Sequence, residues 1–316
     1  MRTFLKILAA LVLIIALTIA SLYRPDLSAE AANSRYQTAE SRFLEVMDAH
    51  VHVRIRGTGP ALMLIHGSFS SLHTWQPWED SLSREFTTIS MDLPGHGLTG
   101  PNRDGDYSQD YYTRVAFGIA DQLGIDTFHV AGNSMGGNVA YRMALLQPRR
   151  IQSLVLIDAA GPPTSSTNKT RSASGSPFIF KLLSMPVLSS LMVKCTPKFL
   201  FHSTLKGVYS EPSLITTEQV DRYYDLILRE GNRKATLDRI RTIRTPTPSG
   251  TVQCPTYILW GADDHWIPVS TAESFHAAIP GSVVEVMRGT GHVPMEERPV
   301  ESLEGVRGFL RQQISH

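Results

Sequence analysis

The sequence predicts an α/β fold: a mostly parallel central sheet flanked by helices, with an inserted helical lid and a membrane-spanning helix ahead of it. Three observations predict it. Short apolar runs ending in glycine or in breaker-rich loops alternate with segments of helical spacing, as parallel strands joined by right-handed crossovers require. That alternation lapses between residues 161 and about 247, and the first 23 residues are far more apolar than the rest of the chain.

Residues 1–23 carry Arg2 and Lys6 and then an uncharged run from Ile7 to Tyr23. At 1.5 Å per residue its ~17 residues are just long enough to cross a hydrocarbon core, so the segment reads as a membrane anchor. The excess of basic residues on its amino-terminal side puts that end in the cytoplasm and the body on the other side. A cleaved secretory signal is the rival, because Ala29-Glu30-Ala31 is an A-x-A-like site. Residues 24–42, polar and alanine-rich after Pro25, read as a linker, and the folded domain is expected over 43–316.

Within that domain, "FLEVMDAHVHVRI" (43–55) suggests an opening hairpin about Asp48-Ala49. "ALMLIHG" (61–67) has the continuous apolar character of a strand covered on both faces, and "TTISM" (87–91) repeats it before the loop "DLPGHG". Val115, Ala116, Ile119 and Leu123 recur at helical spacing up to Gly124; "TFHVAG" is the next strand; 135–147 reads as a helix stopped before Pro148; "IQSLVLIDAAG" is a further buried strand. The lid comes next, Ser/Thr-rich with helical patterns such as "TTEQVDRYYDLILREG". Strands return at "TYILWG" (256–261) and "VVEVM" (283–287), and "VESLEGVRGFLRQQ" closes the chain as a helix.

Thirty Lys plus Arg against 29 Asp plus Glu leave a formal charge of +1, which gives no field for nucleic acid, and nucleic-acid binding is not expected. Cys195 and Cys254 form neither a disulfide framework nor a paired metal motif. The histidines show no metal-ligand spacing, so no metal is expected. Asn168-Lys169-Thr170 fits a glycosylation sequon and is read as chance.

The chemistry gathers about "VAGNSMGGNVAYRM" (130–143). Ser134 stands between a strand and a helix, the context in which G-x-S-x-G exposes a nucleophile on a sharp turn. Gly132, Gly136 and Gly137 relieve the crowding of that turn. The start of the next helix offers the Met135 N–H to charge developing beside the serine. A serine nucleophile needs a histidine base and a carboxylate to orient it. "ILWGADDHWIP" supplies Asp263 and Asp264 after one strand, and "MRGTGHVPMEERP" supplies His292 after the next.

With these blocks, in the order "HGSFSS", "DLPGHG", "GNSMGG", "WGADDHWIP" and "GTGHVP", residues 43–313 resemble the α/β-hydrolase family, in particular its lidded branch of serine esterases and carbon-carbon bond hydrolases. The resemblance selects Asp264 over Asp263 as the acid and implies a triad of Ser134, Asp264 and His292. It also implies that the Ser68 N–H joins the Met135 N–H in an oxyanion hole, with Phe69 as the fallback donor. His66 is then a brace for its loop, His96 part of a structural turn, and His265 a loop residue. No cofactor is implied.

The expected reaction is hydrolysis of a carboxylic ester of small or medium apolar character through an acyl-enzyme, with a small molecule as substrate. Residues 133–137 also resemble the elbow of hydrolases that cleave carbon-carbon bonds of ring-fission products. Those enzymes commonly carry tryptophan after the histidine, and here Val293 stands there. A non-catalytic binding member of the fold is the reading from a different class. The lid side chains Phe178, Phe180, Leu182, Leu183, Leu188, Leu191 and Met192 are expected to wall an apolar pocket or to pack the lid helices together.

Overall fold

The computed structural model describes residues 2–161, 185, 193, 195–242 and 245–314. The apolar lid residues expected at 178–192 and the Asn168 sequon lie outside them. Eight strands form one sheet: β1 (Ser41–Val46), β2 (Ala49–Arg56), β3 (Ala61–Ile65), β4 (Thr87–Met91), β5 (Phe128–Asn133), β6 (Ile151–Ile157), β7 (Thr256–Gly261) and β8 (Val283–Met287). Their spatial order is β1-β2-β4-β3-β5-β6-β7-β8. The opening hairpin pairs β1 with β2 antiparallel, β2 is antiparallel to β4, and every other pairing is parallel.

Side chains alternate across a strand, and the central strands use both sides. Met63, Ile65, Val130, Leu154, Leu156, Ile258 and Trp260 meet the helices α4 (Gln109–Gln122), α5 (Met135–Leu146) and α9 (Ser270–Ala278) on one face. Leu62, Leu64, Ala131, Val155, Ile157 and Leu259 meet Trp75, α3 (Gln76–Leu82) and α11 (Pro299–Ile314) on the other. Two-sided burial is why these strands read as unbroken apolar runs rather than alternating ones. α4 begins where Ser108 accepts the Tyr111 N–H, ahead of the periodic apolar positions that announce it.

The described part of the lid is helical, with α6 (Lys198–Lys206), α7 (Thr217–Leu228) and α8 (Asn232–Arg241). α7 opens on a capping box in which Thr216 and Gln219 satisfy each other's backbone donors.

The amino-terminal α1 (Arg2–Leu22) is 21 residues long, is apolar enough to cross a membrane, and has none of its most apolar stretch buried in the protein. The stretch read as a linker is different from a free tether. It contains α2 (Ala29–Tyr36), capped by the Ser28 side chain. Asp26 pairs with Arg233 of α8, and the Leu27 N–H donates to the Leu228 carbonyl at 2.8 Å while the Glu230 N–H donates back to Leu27 at 2.8 Å. Arg35 and Tyr36 both donate to Asp225 of α7, at 2.7 and 2.9 Å. Ala32 is wholly buried against Leu98 and Leu226. The polar composition of residues 24–36 therefore serves a strap docked on the lid, through partners that the local sequence does not reveal.

Ala32→Glu places an unpaired carboxylate in that contact. It is expected to cost about 2–4 kcal/mol, or roughly 4–16 °C of Tm for a domain of this size. Thermal unfolding of the detergent-solubilised full chain checks this, and an unchanged Tm would mean that the strap is not docked.

Candidate active site

Ser134 occupies the residue between β5 and α5 with φ 53° and ψ −118°, a positive-φ backbone that a residue with a Cβ adopts at a cost of about 1–3 kcal/mol. The neighbouring strand and the loop after it hold it there. Its N–H donates to the Ile157 carbonyl at 3.0 Å, and its carbonyl accepts from Ala160 at 2.8 Å. Nothing larger than glycine fits the turn: a Cβ on Gly132 would stand 2.3 Å from the Gly136 carbonyl oxygen, and one on Gly136 would stand 2.1 Å from that of Ile65.

The loop after β3 runs alongside. A Cβ on Gly67 would lie 3.0 Å from that of Ser134, so the backbone of Gly67-Ser68 passes directly against the serine. His66 braces this loop from beneath, donating from Nδ1 to the Gly67 carbonyl at 2.7 Å and accepting the Leu93 N–H on Nε2 at 3.0 Å. Burial lowers its pKa, which suits the neutral ring this pattern needs. Phe69 takes a positive φ of 62°, turning the chain away after Ser68. His96 lies buried in its turn, with Nδ1 at 3.3 Å from the Pro94 carbonyl.

Asp264 and His292 come together from the loops after β7 and β8. His292 Nδ1 donates to Asp264 Oδ2 at 2.7 Å, while Asp264 Oδ1 accepts the N–H groups of Trp266 and Ile267 at 2.7 and 3.1 Å. Asp263 is exposed and receives the Ser210 hydroxyl at 3.3 Å; His265 is exposed as well. Ser134 is joined to His292 through its neighbour rather than by a direct hydrogen bond: Asn133 Nδ2 donates to the His292 carbonyl at 3.0 Å and to that of Ile157 at 3.2 Å. Trp266 stacks on the His292 ring, with centroids 6.0 Å apart and planes at 19°.

The sequence reading missed several residues of this region. Glu297, in the short helix α10 (Pro294–Glu297), accepts the Gly291 N–H at 2.7 Å and the Glu211 N–H at 2.9 Å, fixing the histidine loop to the lid. Its neighbour Glu296 accepts the hydroxyls of Tyr209 and Tyr223 from the lid, both at 2.6 Å. The pair Glu296-Glu297 shortly after His292 was the one available signal.

Asp158, at the carboxyl end of β6, was missed as well. It is fully buried, its Oδ1 accepts the Gly261 N–H at 2.9 Å, and its Oδ2 has no partner. Ligand-type atoms of Asp158, Asp264 and His292 lie within 4.8 Å of one another. A cation seated there would have to break the His292–Asp264 hydrogen bond. Burial first, and then the Asp264 charge, holds the Asp158 carboxyl well above the usual carboxylate range, which favours its protonated form.

An open, mostly parallel sheet with these polar loops gathered at its strand carboxyl ends is the architecture of an α/β hydrolase. The profile of the alpha/beta hydrolase fold matches residues 60–299. The chain belongs to that enzyme family. An uncharacterised protein of Mycobacterium tuberculosis is 31% identical over 274 residues, covering 81% of this chain and 77% of its own. A 2-hydroxy-6-oxononadienedioate/2-hydroxy-6-oxononatrienedioate hydrolase of Klebsiella pneumoniae is 25% identical over 291 residues, covering 87% of this chain and 96% of its own. The crystal structure of a bacterial membrane phospholipase A superposes with a TM-score of 0.72 at 23% identity, over 100% of both chains.

The Asp158 proton has a measurable consequence. The folded state keeps a proton that the unfolded chain releases above about pH 4, so this group's contribution to stability is full below that pH and declines as pH rises toward the folded pKa. Asp158→Asn keeps the acceptor for Gly261 and carries no proton to lose. Its Tm is expected to exceed that of the parent by more at pH 8 than at pH 5; a gap independent of pH would show that Asp158 is ionised in the fold.

Proposed function

We propose that the protein is a membrane-anchored serine hydrolase of carboxylic esters, with Ser134 as nucleophile, His292 as base and Asp264 as the acid that orients it. The strained backbone of Ser134 next to a buried histidine–aspartate pair is the observation that carries this reading. With the His292 Nδ1–H committed to Asp264, the basic lone pair is on Nε2, the nitrogen a serine hydroxyl can reach.

Ser134 Oγ attacks the ester carbonyl as its proton passes to His292 Nε2. The oxyanion that forms is held by the N–H groups of Met135 and Ser68, each such donor being worth about 2.7–4 kcal/mol in the transition state. Collapse expels the alcohol, which takes the proton from His292, and leaves an acyl group on Ser134. Water then repeats the cycle through the same base and releases the acid. Substrates are small or medium apolar esters, and no cofactor takes part.

Retention of the amino-terminal helix as an anchor, with the catalytic domain on the non-cytoplasmic side, is supported by the strap. Cleavage after Ala31 would remove Asp26 and Leu27 from their lid partners. The membrane phospholipase A that matches along the whole chain is an ester-cleaving enzyme by its name, and it accords with a lipid-side location. Carbon-carbon bond cleavage is the second reading, favoured by the Klebsiella pneumoniae relative.

Turnover of p-nitrophenyl esters of increasing acyl length by the full chain in detergent checks the reading. Ser134→Ala and His292→Ala are each expected to lose roughly a thousandfold or more in kcat. Turnover that survives both replacements, or that is confined to a vinylogous 2-hydroxy-6-oxo acid, would reject the ester assignment.

A further inference from the structure

Among the arginines with enclosed guanidinium nitrogens, Arg239 stands apart. Arg54 pairs with Glu79 and Arg142 with Asp110, so each has a carboxylate. Arg239, in the last turn of α8, has two buried nitrogens without a hydrogen-bond partner, Nε and Nη2, and among the described residues no carboxylate bears on it. Burial pushes its pKa down, with only Tyr112 opposing. The helix carboxyl terminus and the face of Phe69, over which the guanidinium lies at 5.8 Å, each offset only part of the cost of burying a cation.

Nε–H and one N–H of Nη2 are parallel, and together they form the side of the guanidinium that grips two oxygens of one anion. The guanidinium that carries this fork lies over Phe69, which follows the Ser68 whose N–H is assigned to the oxyanion. His96, close enough for the Arg239 charge to lower its pKa further, has a buried Nε2 without a partner. Phe69 and His96 both line a small cavity, together with Ser70 and Asn232. The lid thus presents two enclosed, unpartnered guanidinium nitrogens beside the loop that carries Ser68.

We propose that Arg239 is an anion-binding residue of the substrate site, taking a carboxylate or phosphate carried by the ester. The inference rests on the ester-hydrolase reading and narrows it: the substrate has an apolar portion and one oxyanionic group.

The test compares wild type with Arg239→Met and Arg239→Lys, as full chains in neutral detergent. Mono-p-nitrophenyl glutarate against p-nitrophenyl butyrate reads the carboxylate arm, and a phosphatidylglycerol against the diacylglycerol of the same chains reads the phosphate arm. In wild type the anionic member of at least one pair is preferred, and the ratio of the two kcat/KM values falls at least tenfold in Arg239→Met and is partly restored in Arg239→Lys. The arm in which the ratio falls identifies the anion. Free glutarate or inorganic phosphate raises the Tm of wild type and not of Arg239→Met, a readout that needs no turnover and so separates failure of this site from failure of the ester reading. Loss of two enclosed nitrogens that have no partner leaves the Tm of Arg239→Met at or above that of wild type. Unchanged ratios in both pairs with no thermal shift, or a drop in Tm with the ratios intact, would overturn the proposal and make Arg239 a structural residue.

Discussion

Everything at the carboxyl end of the sheet depends on one backbone conformation, that of Ser134. A serine held at positive φ is stable only where its surroundings over-determine it, and here both of its peptide groups are tied to the segment from Ile157 to Ala160. Those bonds require β5 and β6 in register, with Asn133 opposite Ile157, and β3 close enough for the Ile65 carbonyl to touch Gly136. The buried apolar layers on both faces of the sheet supply that register. Core packing and the position of the serine are consequences of the same constraint.

The second tier of the site consists of buried polar groups whose charges are disposed unequally. Asp264 has its oxygens occupied by two backbone N–H groups and His292. Asp158, with one N–H and no cation, is pushed to the protonated form beside it. Around this core, Glu296 and Glu297 bind the lid to the histidine loop, and the strap at residues 24–36 binds the same lid to the helix ahead of it. The amino-terminal helix, lid and histidine loop are consequently linked by a short chain of direct contacts.

Most of the sheet was legible in the sequence because strands covered on both faces have continuous apolar runs, and β3 to β8 each begin or end within a few residues of expectation. The elbow was legible because a glycine pattern on a strand–helix turn has a steric cause. The strap was not: Ala32, Arg35 and Tyr36 find their partners on residues 225 and 226, nearly two hundred positions away, so their local sequence looks like linker. α3 and α9 were passed over because they are short, with seven and nine residues, too few for a period to register. Asp158 was hidden inside an ordinary strand, "LVLIDAAG", where its protonation depends on Asp264 from another loop. Arg239 was one of many basic residues in a lid with no distinctive motif, and only burial without a counter-charge sets it apart.

The most direct measurement is to treat the full chain with a fluorophosphonate probe and map the adduct by peptide mass spectrometry, beside His292→Ala. The account predicts a single adduct on Ser134 in the parent protein and little or none when the base is removed. An adduct elsewhere, no adduct, or equal labelling of both proteins would contradict it.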